Sequence, residues 1–377
     1  MSEALEALRG RDPYDALLGR RVPGFVVRTP RGRQLAIQLR KRCPVDLGPA
    51  LGVPAFVMAK TVACFLLAHL RGAGDPAARP VFERYLLDAQ ATDGGWSYEF
   101  DVQTRWAFYP AGASNAIATV FAARALATAV AAHAGHLAAR EAVEGAAGLL
   151  GGPLVAASGS GAYVRYTESA DTLVHNANLL ACGILAALGR LFSDGRMLET
   201  ALRCAQTSIA AQRSDGSWPY GVGSDLGWSD NFHTAYNLDG LLMVWLATQD
   251  GTVRRSLELG AAHWVRDFFG EGGEPRYYAE RALPYDIHAA GTAIDVAARL
   301  ATWGLPTEQV AWRVAEWTDA NLVDPRNGAT YYRKHRFWTD RRHFVRWGDA
   351  HLAMGRASLA LLDTGGRDVL EQAVRRG

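Results

Sequence analysis

The sequence predicts a single all-α domain, an (α/α)6 toroid of about six helical hairpins, and two periodic series support this prediction. The first series consists of alanine-rich stretches that are apolar on most faces, as buried helices are. They begin at residues 54, 114, 171, 230, 286 and 346, so the intervals are 60, 57, 59, 56 and 60 residues. The six stretches are Pro54–Leu70, Ser114–Val130, Asp171–Leu191, Asp230–Thr248, Asp286–Thr302 and Arg346–Leu362.

The second series lies between these stretches and consists of turn residues followed by an aromatic residue. Its aromatic positions are Trp96, Tyr163, Trp218, Tyr277 and Tyr331. Amphipathic segments accompany them and predict half-exposed outer helices at Glu141–Leu150, Met197–Gln212 and Val253–Phe269. An inner ring of buried helices inside an outer ring of such helices defines the toroid. Few strand signals are present, and short strand pairs are expected in the loops at Ala162–Tyr166 and Tyr331–Lys334.

We interpret residues 1–377 as one domain, with residues 1–50 forming an N-terminal helical extension that closes the barrel. The composition is 49% hydrophobic and 21% charged with a formal net charge of +2, which predicts no nucleic-acid partner. The basic stretch Arg31–Arg42 is interpreted as a solvated helix face. Neither a signal core nor an apolar run of membrane-spanning length is present, and the four cysteines form no CxxC pair. We therefore expect a cytoplasmic protein without a membrane span.

Polar side chains gather near the predicted starts of the inner helices, which all open at one mouth of the toroid. The helix dipoles make this mouth suitable for an anionic substrate. Side chains that transfer protons predict the catalytic candidates His175, Asp230, His233, Tyr236, Asp286 and His288. Candidate substrate-binding residues are Trp96, Tyr109, Asn115, Asn176, Trp218, Asn231, Tyr278, Arg333, Arg346 and Trp347.

Each candidate also has a structural interpretation. Asp230 and Asp286 fit helix N-caps, and a lone histidine at a helix start can serve packing alone. Trp96 and Trp218 follow Asp-Gly turns and can pack back onto the core. Three histidines and a carboxylate are a known metal-ligand set, which leaves a metal site open as an alternative. No HxxH or HExxH pair supports it, so the leading interpretation has neither a metal nor a cofactor.

The chain resembles a bacterial family found with exopolysaccharide clusters, whose members are labelled δ-aminolevulinic acid dehydratase-like. The matching stretches are Asp12–Asp15, Lys41–Pro44 leading to Leu51-Gly52, His175–Leu179, Asp215–Tyr220, Asp230–Thr234, Pro284–His288 and Arg346–Gly348.

Two further groups are similar at lower specificity. The helical domain of glucuronyl C5-epimerases is similar through DGGW at Asp93–Trp96, Ser114-Asn115 and His175-Asn176. Terpene cyclase and prenyltransferase toroids have QxxDGxW repeats, which Gln90–Trp96 and Gln212–Trp218 resemble. The chain lacks the DxDD and DDxxD motifs of the latter group, which argues against terpene cyclisation.

The leading hypothesis is a carbohydrate-active enzyme that acts on a uronic acid or related sugar by proton abstraction, as an epimerase or lyase. His175 or His233 would be the base, Tyr236 or Tyr278 the acid, and Arg333 or Arg346 would hold the carboxylate. The substrate would be a small molecule or an oligosaccharide.

Three alternatives remain open. A hydrolase would use two carboxylates, for which Asp230 and Asp286 are candidates. An isoprenoid cyclase or prenyltransferase-like enzyme would need an apolar, aromatic-lined cavity. A non-catalytic glycan-binding or scaffold protein would present an open aromatic groove.

Overall fold

The computed structural model of the protein describes residues 2–133, 135–159 and 161–376. Its α-helices are α1 (Glu3–Glu6), α2 (Gly24–Val27), α3 (Pro30–Arg42), α4 (Gly48–Leu51), α5 (Ala59–Leu70), α6 (Arg79–Asp88), α7 (Ala116–Ala132), α8 (Leu137–Gly151), α9 (His175–Leu191), α10 (Gly195–Ala210), α11 (Asn231–Thr248), α12 (Gly251–Phe268), α13 (Ile287–Thr302), α14 (Glu308–Leu322), α15 (Asp349–Asp363) and α16 (Val369–Arg376). Its strands are β1 (Val102–Gln103), β2 (Phe108–Tyr109), β3 (Val155–Ser158), β4 (Gly161–Val164), β5 (Tyr285–Asp286), β6 (Arg333–Lys334) and β7 (Thr339–Asp340).

Six helices form a closed inner ring. In chain order they are α5, α7, α9, α11, α13 and α15; each packs against the next, and α15 packs against α5. Helices α6, α8, α10, α12 and α14 each follow an inner helix and pack outside it. The toroid predicted from the two periodic series is therefore confirmed. The inner helices begin up to five residues later than predicted, the largest difference being Ala59 against Pro54.

The sequences of the two rings explain their burial. Fifteen of the seventeen residues of α7 are buried, and alanine dominates them, so neighbouring helices approach on several sides. On α10 the buried positions are Ala201, Cys204, Ala205 and Ser208, a single stripe at helical spacing. The first pattern fits an inner helix and the second fits an outer one.

The last helix, α16, departs from the pattern of outer helices. It packs against α7, α9 and α11 at the end of the ring where the inner helices finish. Its Glu371 is fully buried and accepts a hydrogen bond from Arg299 of α13. A buried ion-pair network continues from there through Arg71, Arg124, Asp239, Asp295 and Asp368. This end of the barrel is thus closed by paired charges.

The strands are short and lie in the loops at the opposite end. Strand β1 pairs with β2, β3 with β4, and β5, β6 and β7 form a three-stranded antiparallel sheet. The strand expected at Ala162–Tyr166 corresponds to β4, and the one expected at Tyr331–Lys334 corresponds to β6. None of the described helices is long and apolar enough to cross a membrane.

Candidate active site

Four polar side chains from four inner helices meet on the axis of the ring. The hydroxyl of Tyr236 lies 3.2 Å from Nε2 of His288, 3.2 Å from Nε2 of His351 and 3.4 Å from Nζ of Lys60. We call these four residues the axial cluster. All four are buried, with exposures of 4% or less. Because α5, α11, α13 and α15 all begin at one end, early residues of distant segments become neighbours there.

The hydrogen bonds of the axial cluster define a direction for proton movement. His351 Nδ1 lies 2.8 Å from the carbonyl oxygen of Arg346, which can only accept, so Nδ1 carries the proton and Nε2 is an acceptor. Tyr236 can therefore donate its hydroxyl proton to His351 and accept from Nε2 of His288. Nδ1 of His288 has no hydrogen-bond partner in the described part of the chain, as expected for the tautomer protonated at Nε2.

Burial sets the protonation states of the axial cluster. It lowers the pKa of His288 and His351 well below the ordinary value, and the neighbouring Lys60 charge lowers both further. Burial also lowers the pKa of Lys60 to about 7 and raises the pKa of Tyr236 well above its usual range. At neutral pH the cluster thus holds two neutral imidazoles, a phenol and an amine close to its titration point.

Aromatic rings surround the axial cluster. Trp347 stacks on His288 with ring centroids 4.3 Å apart, and Phe232 meets the same imidazole edge-on at 4.7 Å. Lys60 Nζ lies 4.1 Å from the centroid of Phe121. These rings exclude water, which strengthens electrostatic interactions inside the site.

The N-terminal segment covers this end of the ring. The Asp12 carboxylate accepts a hydrogen bond of 2.5 Å from Arg346, and both residues are buried. The Tyr14 ring lies 5.6 Å from that of Trp347, and Lys41 of α3 contacts the Tyr14 hydroxyl. The axial cluster is therefore enclosed between this segment and the ion-pair network at the opposite end.

A second polar group lines a small cavity of about 10 Å³. Its lining includes Asn176, Tyr220, Asp230, His233 and Asn237. The Asp230 carboxylate lies 2.8 Å from Nδ1 of His233 and also caps α11 through the backbone N–H of His233. The Oδ1 atoms of Asn176 and Asn237 are buried without a hydrogen-bond partner among the described residues. Unused hydrogen-bond acceptors therefore line this cavity, which has room for about one water molecule.

Several residues predicted from the sequence lie together around Asp286. This carboxylate accepts from the backbone N–H of His288, from Nε of Arg333 at 2.6 Å and from Nε1 of Trp347 at 2.8 Å. It is fully buried and serves as an N-cap and ion-pair partner. Because Arg333 pairs with Asp286 and Arg346 with Asp12, neither arginine is free to bind a carboxylate in this closed arrangement.

His175 lies apart from the axial cluster. Its Nδ1 is 2.9 Å from the Ser208 hydroxyl on α10, and its side chain is fully buried between the two rings. Burial lowers its pKa to about 4. His175, a catalytic candidate from the sequence, therefore points toward the outer ring and does not join the axial cluster.

Other candidates also have structural roles. The indole N–H groups of Trp96 and Trp218 donate to the carbonyls of Leu86 and Ser208, and both rings are buried in the core. Trp218 also lines the small cavity. The side chain of Asn115 caps α7, and that of Asn231 bonds Trp264 and the Arg276 carbonyl.

The two tyrosines among the substrate-binding candidates lie outside the axial cluster. Tyr109 stacks on Tyr166 at 4.3 Å, with its ring buried. Tyr278 is partly exposed and packs against Tyr277 and the Arg281 guanidinium.

The catalytic candidates omitted Lys60 and His351, and sequence reasoning also missed the partner of Arg346. Lys60 did carry a signal, because it is one of three lysines in the chain and interrupts an apolar helix. His351 similarly interrupts the start of the sixth inner helix. Asp12 had no such signal, because its contact with Arg346 spans 334 residues of sequence.

The structure thus defines an (α/α)6 toroid with ionisable side chains on its axis. No protein-family model matches the chain, and neither does any curated protein sequence. Three similar solved structures are a cellobiose 2-epimerase from Spirochaeta thermophila, a D-mannose isomerase and an unsaturated glucuronyl hydrolase from Bacillus sp. GL1.

Their TM-scores are 0.60, 0.59 and 0.59, and their sequence identities 16%, 14% and 14%, respectively. The alignments cover 82%, 81% and 82% of this chain and 86%, 86% and 87% of the other chains. At these identities the similarity establishes the fold.

Proposed function

We propose that the chain is a carbohydrate-active enzyme of the epimerase or isomerase kind, which acts by proton transfer at the axial cluster. The observation that carries the proposal is the contact of one phenol with two neutral imidazoles and an amine, all shielded from water. General acid–base catalysis uses side chains of these types, held within hydrogen-bond reach of the substrate proton that is transferred. The names of the cellobiose 2-epimerase and D-mannose isomerase support the same class of reaction.

In the proposed reaction a neutral imidazole removes the proton from a sugar carbon next to a carbonyl or carboxylate. The electron pair of that C–H bond forms a carbon–carbon double bond while the π pair of the carbonyl or carboxylate moves onto its oxygen, which gives an enol or enolate. Return of a proton to carbon completes epimerisation or isomerisation. His288 and His351 would serve as base and acid, and Tyr236 would relay the proton between them. Lys60 would stabilise the developing oxygen charge.

The Asp12–Arg346 ion pair suggests how a uronic acid would enter. Movement of the N-terminal segment would withdraw Asp12 and leave the Arg346 guanidinium free for a substrate carboxylate. Arginine suits this exchange because its planar fork binds carboxylates through two parallel hydrogen bonds. The pair therefore favours a sugar acid over a neutral sugar as substrate.

The alternatives have weaker support. Asp230 and Asp286, the carboxylates proposed for a hydrolase, are engaged with His233 and Arg333. The ionisable groups along the axis count against the apolar cavity that an isoprenoid cyclase needs. The enclosed axial cluster likewise differs from the open aromatic groove expected of a glycan-binding protein.

The test uses hydrogen exchange, which requires no prior choice of product. The full chain is incubated in D2O with aldoses, ketoses and hexuronic acids, and NMR follows loss of the C–H signal beside the carbonyl or carboxylate. We expect Tyr236→Phe and His351→Gln to slow exchange about 10²–10⁴-fold. His136→Gln, on the outer ring and paired with Glu83, is the matched histidine control and should retain the wild-type rate.

A second comparison addresses the substrate class. Arg346→Gln should raise KM for hexuronic acids more than for neutral sugars. The proposed function would be contradicted if Tyr236→Phe and His351→Gln both exchanged at the wild-type rate. It would also be contradicted if no sugar tested showed exchange.

A further inference from the structure

One face of α3 carries exposed leucines flanked by arginines. Arg31, Leu35, Leu39 and Arg42 are spaced by four, four and three residues, so they lie along one side of the helix. Leu35 and Leu39 are 69% and 59% exposed, and the opposite side buries Ile37. The face of Arg31–Arg42 that the sequence predicts to be solvated is exposed, and its centre is apolar.

Further exposed apolar side chains flank this helix. Phe25 of α2 is 73% exposed, and Val45, just after α3, is 65% exposed. Phe337 is 86% exposed at the tip of the β6–β7 hairpin, whose adjacent Arg342 donates to the carbonyls of Arg40 and Lys41. Clustered exposed apolar groups mark interaction surfaces more often than isolated ones do.

The same segment is strongly basic. Between Asp15 and Asp46 the chain contains eight arginines and lysines and no acidic residue. Three of the eight are engaged: Arg33 with Gln103, Arg40 with Asp15 and Asp46, and Lys41 with Tyr14. The other five are exposed, and the structure shows no carboxylate pairing with them along its described length: Arg20, Arg21, Arg28, Arg31 and Arg42.

We infer that this surface, formed by α2, α3 and the flanking residues 20–45, docks on an anionic phospholipid bilayer. Leucine and phenylalanine would enter the interfacial region while arginines at both ends of the helix face meet lipid phosphates. Pairing two copies through this surface would bring five unpaired cations against five others. A nucleic acid would place phosphates against the central leucines. The charge and the apolar protrusions together therefore favour the lipid surface.

The position of this surface determines which end of the toroid would face the bilayer. Lys41 of this segment and Tyr14, which precedes it, both lie against Trp347, whose ring stacks on His288 of the axial cluster. Docking would therefore turn the covered end of the toroid toward the bilayer. The inference rests on exposed residues alone and does not depend on the proposed function.

The experiment measures flotation of the full chain with vesicles of phosphatidylglycerol and phosphatidylcholine at a one-to-one ratio. Pure phosphatidylcholine vesicles are the comparison. We expect binding to the anionic vesicles that weakens with salt. Arg31→Gln with Arg42→Gln should lower partitioning about 25-fold, at about fivefold per cation. Leu35→Ser with Leu39→Ser should lower it at least about tenfold.

Matched controls make the same changes on the outer ring. One control variant combines Leu137→Ser with Leu259→Ser, and the other combines Arg196→Gln with Arg255→Gln. Both change exposed side chains far from α3, and both variants should bind as the wild type does. Circular dichroism checks that each variant is folded. The inference is overturned by absence of binding to anionic vesicles, or by equal binding of patch and control variants. It is also overturned if the chain binds duplex DNA and not vesicles, or if the leucine variant instead dissociates a dimer in sedimentation.

Discussion

Lys60 occupies an environment that is unfavourable for a charged amine. Its ammonium group lies against the Phe121 and Tyr236 rings, and the structure shows no carboxylate bonded to it among the residues described. Burial is the main reason that its pKa falls to about 7, with the nearby Arg346 charge adding to it. Such a group costs folding stability and is retained at functional sites more readily than elsewhere.

The substitution Lys60→Met tests whether the buried amine lowers folding stability. The substitution keeps a flexible apolar chain and removes the amine, so we expect the free energy of unfolding at pH 6 to rise by about 1–3 kcal/mol. The gain should shrink from pH 7 toward pH 10.5, because over this range the folded protein already holds the amine neutral. Chemical denaturation at several pH values measures it, and a lower stability at pH 6 would contradict this account.

His175 provides a second prediction, concerning stability alone. Its folded pKa of about 4 lies below the ordinary value of 6.5, mainly because it is buried and secondly because of the Arg213 charge. The unfolded chain therefore binds the proton more readily between these values, and stability falls as the pH drops through this window. This group accounts for a loss of about 3 kcal/mol by pH 4.

His175→Gln should remove that part of the pH dependence. The buried imidazoles of His288 and His351 leave a residual slope of the same sign. Denaturation of the variant and the wild type is also measured at pH 8, where the imidazole is neutral in both the folded and the unfolded protein. The difference in stability at that pH reports the change in packing alone. An unchanged slope between pH 6.5 and 4 in the variant would show that His175 is not the titrating group.

At the scale of helices, glycine sets how closely the inner helices approach. A Cβ at Gly240 of α11 would lie 2.2 Å from the carbonyl oxygen of Leu179 on α9. That atom belongs to the backbone and cannot rotate away, so the two helices would have to separate. The pair α9 and α11 is thus packed backbone to backbone.

Gly240→Ala should therefore destabilise the protein by about 3 kcal/mol, as overpacked cores do. Gly148 of α8 is the control, because a Cβ there meets nothing within 4 Å of the described structure. Gly148→Ala should stabilise by about 0.5–1 kcal/mol through helix propensity. Thermal unfolding of the two variants compares them, and equal effects would argue against a close helix contact.

The helices were the part of the fold that local sequence could predict. A helix that is buried on all sides needs apolar residues along its whole length, so α7 and α11 could be recognised in the sequence as continuous apolar runs. The orientation of a single side chain was not visible, because neighbouring positions differ by about 100° around a helix. Asn176 consequently borders the cavity while His175 faces α10. Trp96 and Trp218 share a turn signature that fits either core packing or a binding wall.

At the scale of the whole molecule, α16 closes the barrel with charge. Arg71, Arg124 and Arg299 share four buried carboxylates, two of which, Asp368 and Glu371, come from the last residues of the described chain. No periodic pattern predicted this arrangement, because the sixth hairpin lacks an outer helix of the usual kind. Contacts between residues far apart in the sequence determine this closure of the barrel instead.

Glu371→Ala should cost about 3–5 kcal/mol, because it leaves the buried guanidinium of Arg299 without a main partner. The exposed pair of Arg140 and Glu144 offers the control, and Glu144→Ala should cost less than about 0.5 kcal/mol. Denaturant midpoints measure both changes. Similar losses in the two variants would mean that the network contributes no more than a surface pair.

Closure of the ring has a consequence for how the chain reaches its native state. Arg71, at the end of the first inner helix, bonds Asp368, which lies 297 residues later. During synthesis, one apolar side of the first inner helix therefore stays uncovered until almost the entire polypeptide has emerged from the ribosome. Contacts of such long sequence separation slow folding. Newly made chains therefore expose this flank for most of their synthesis.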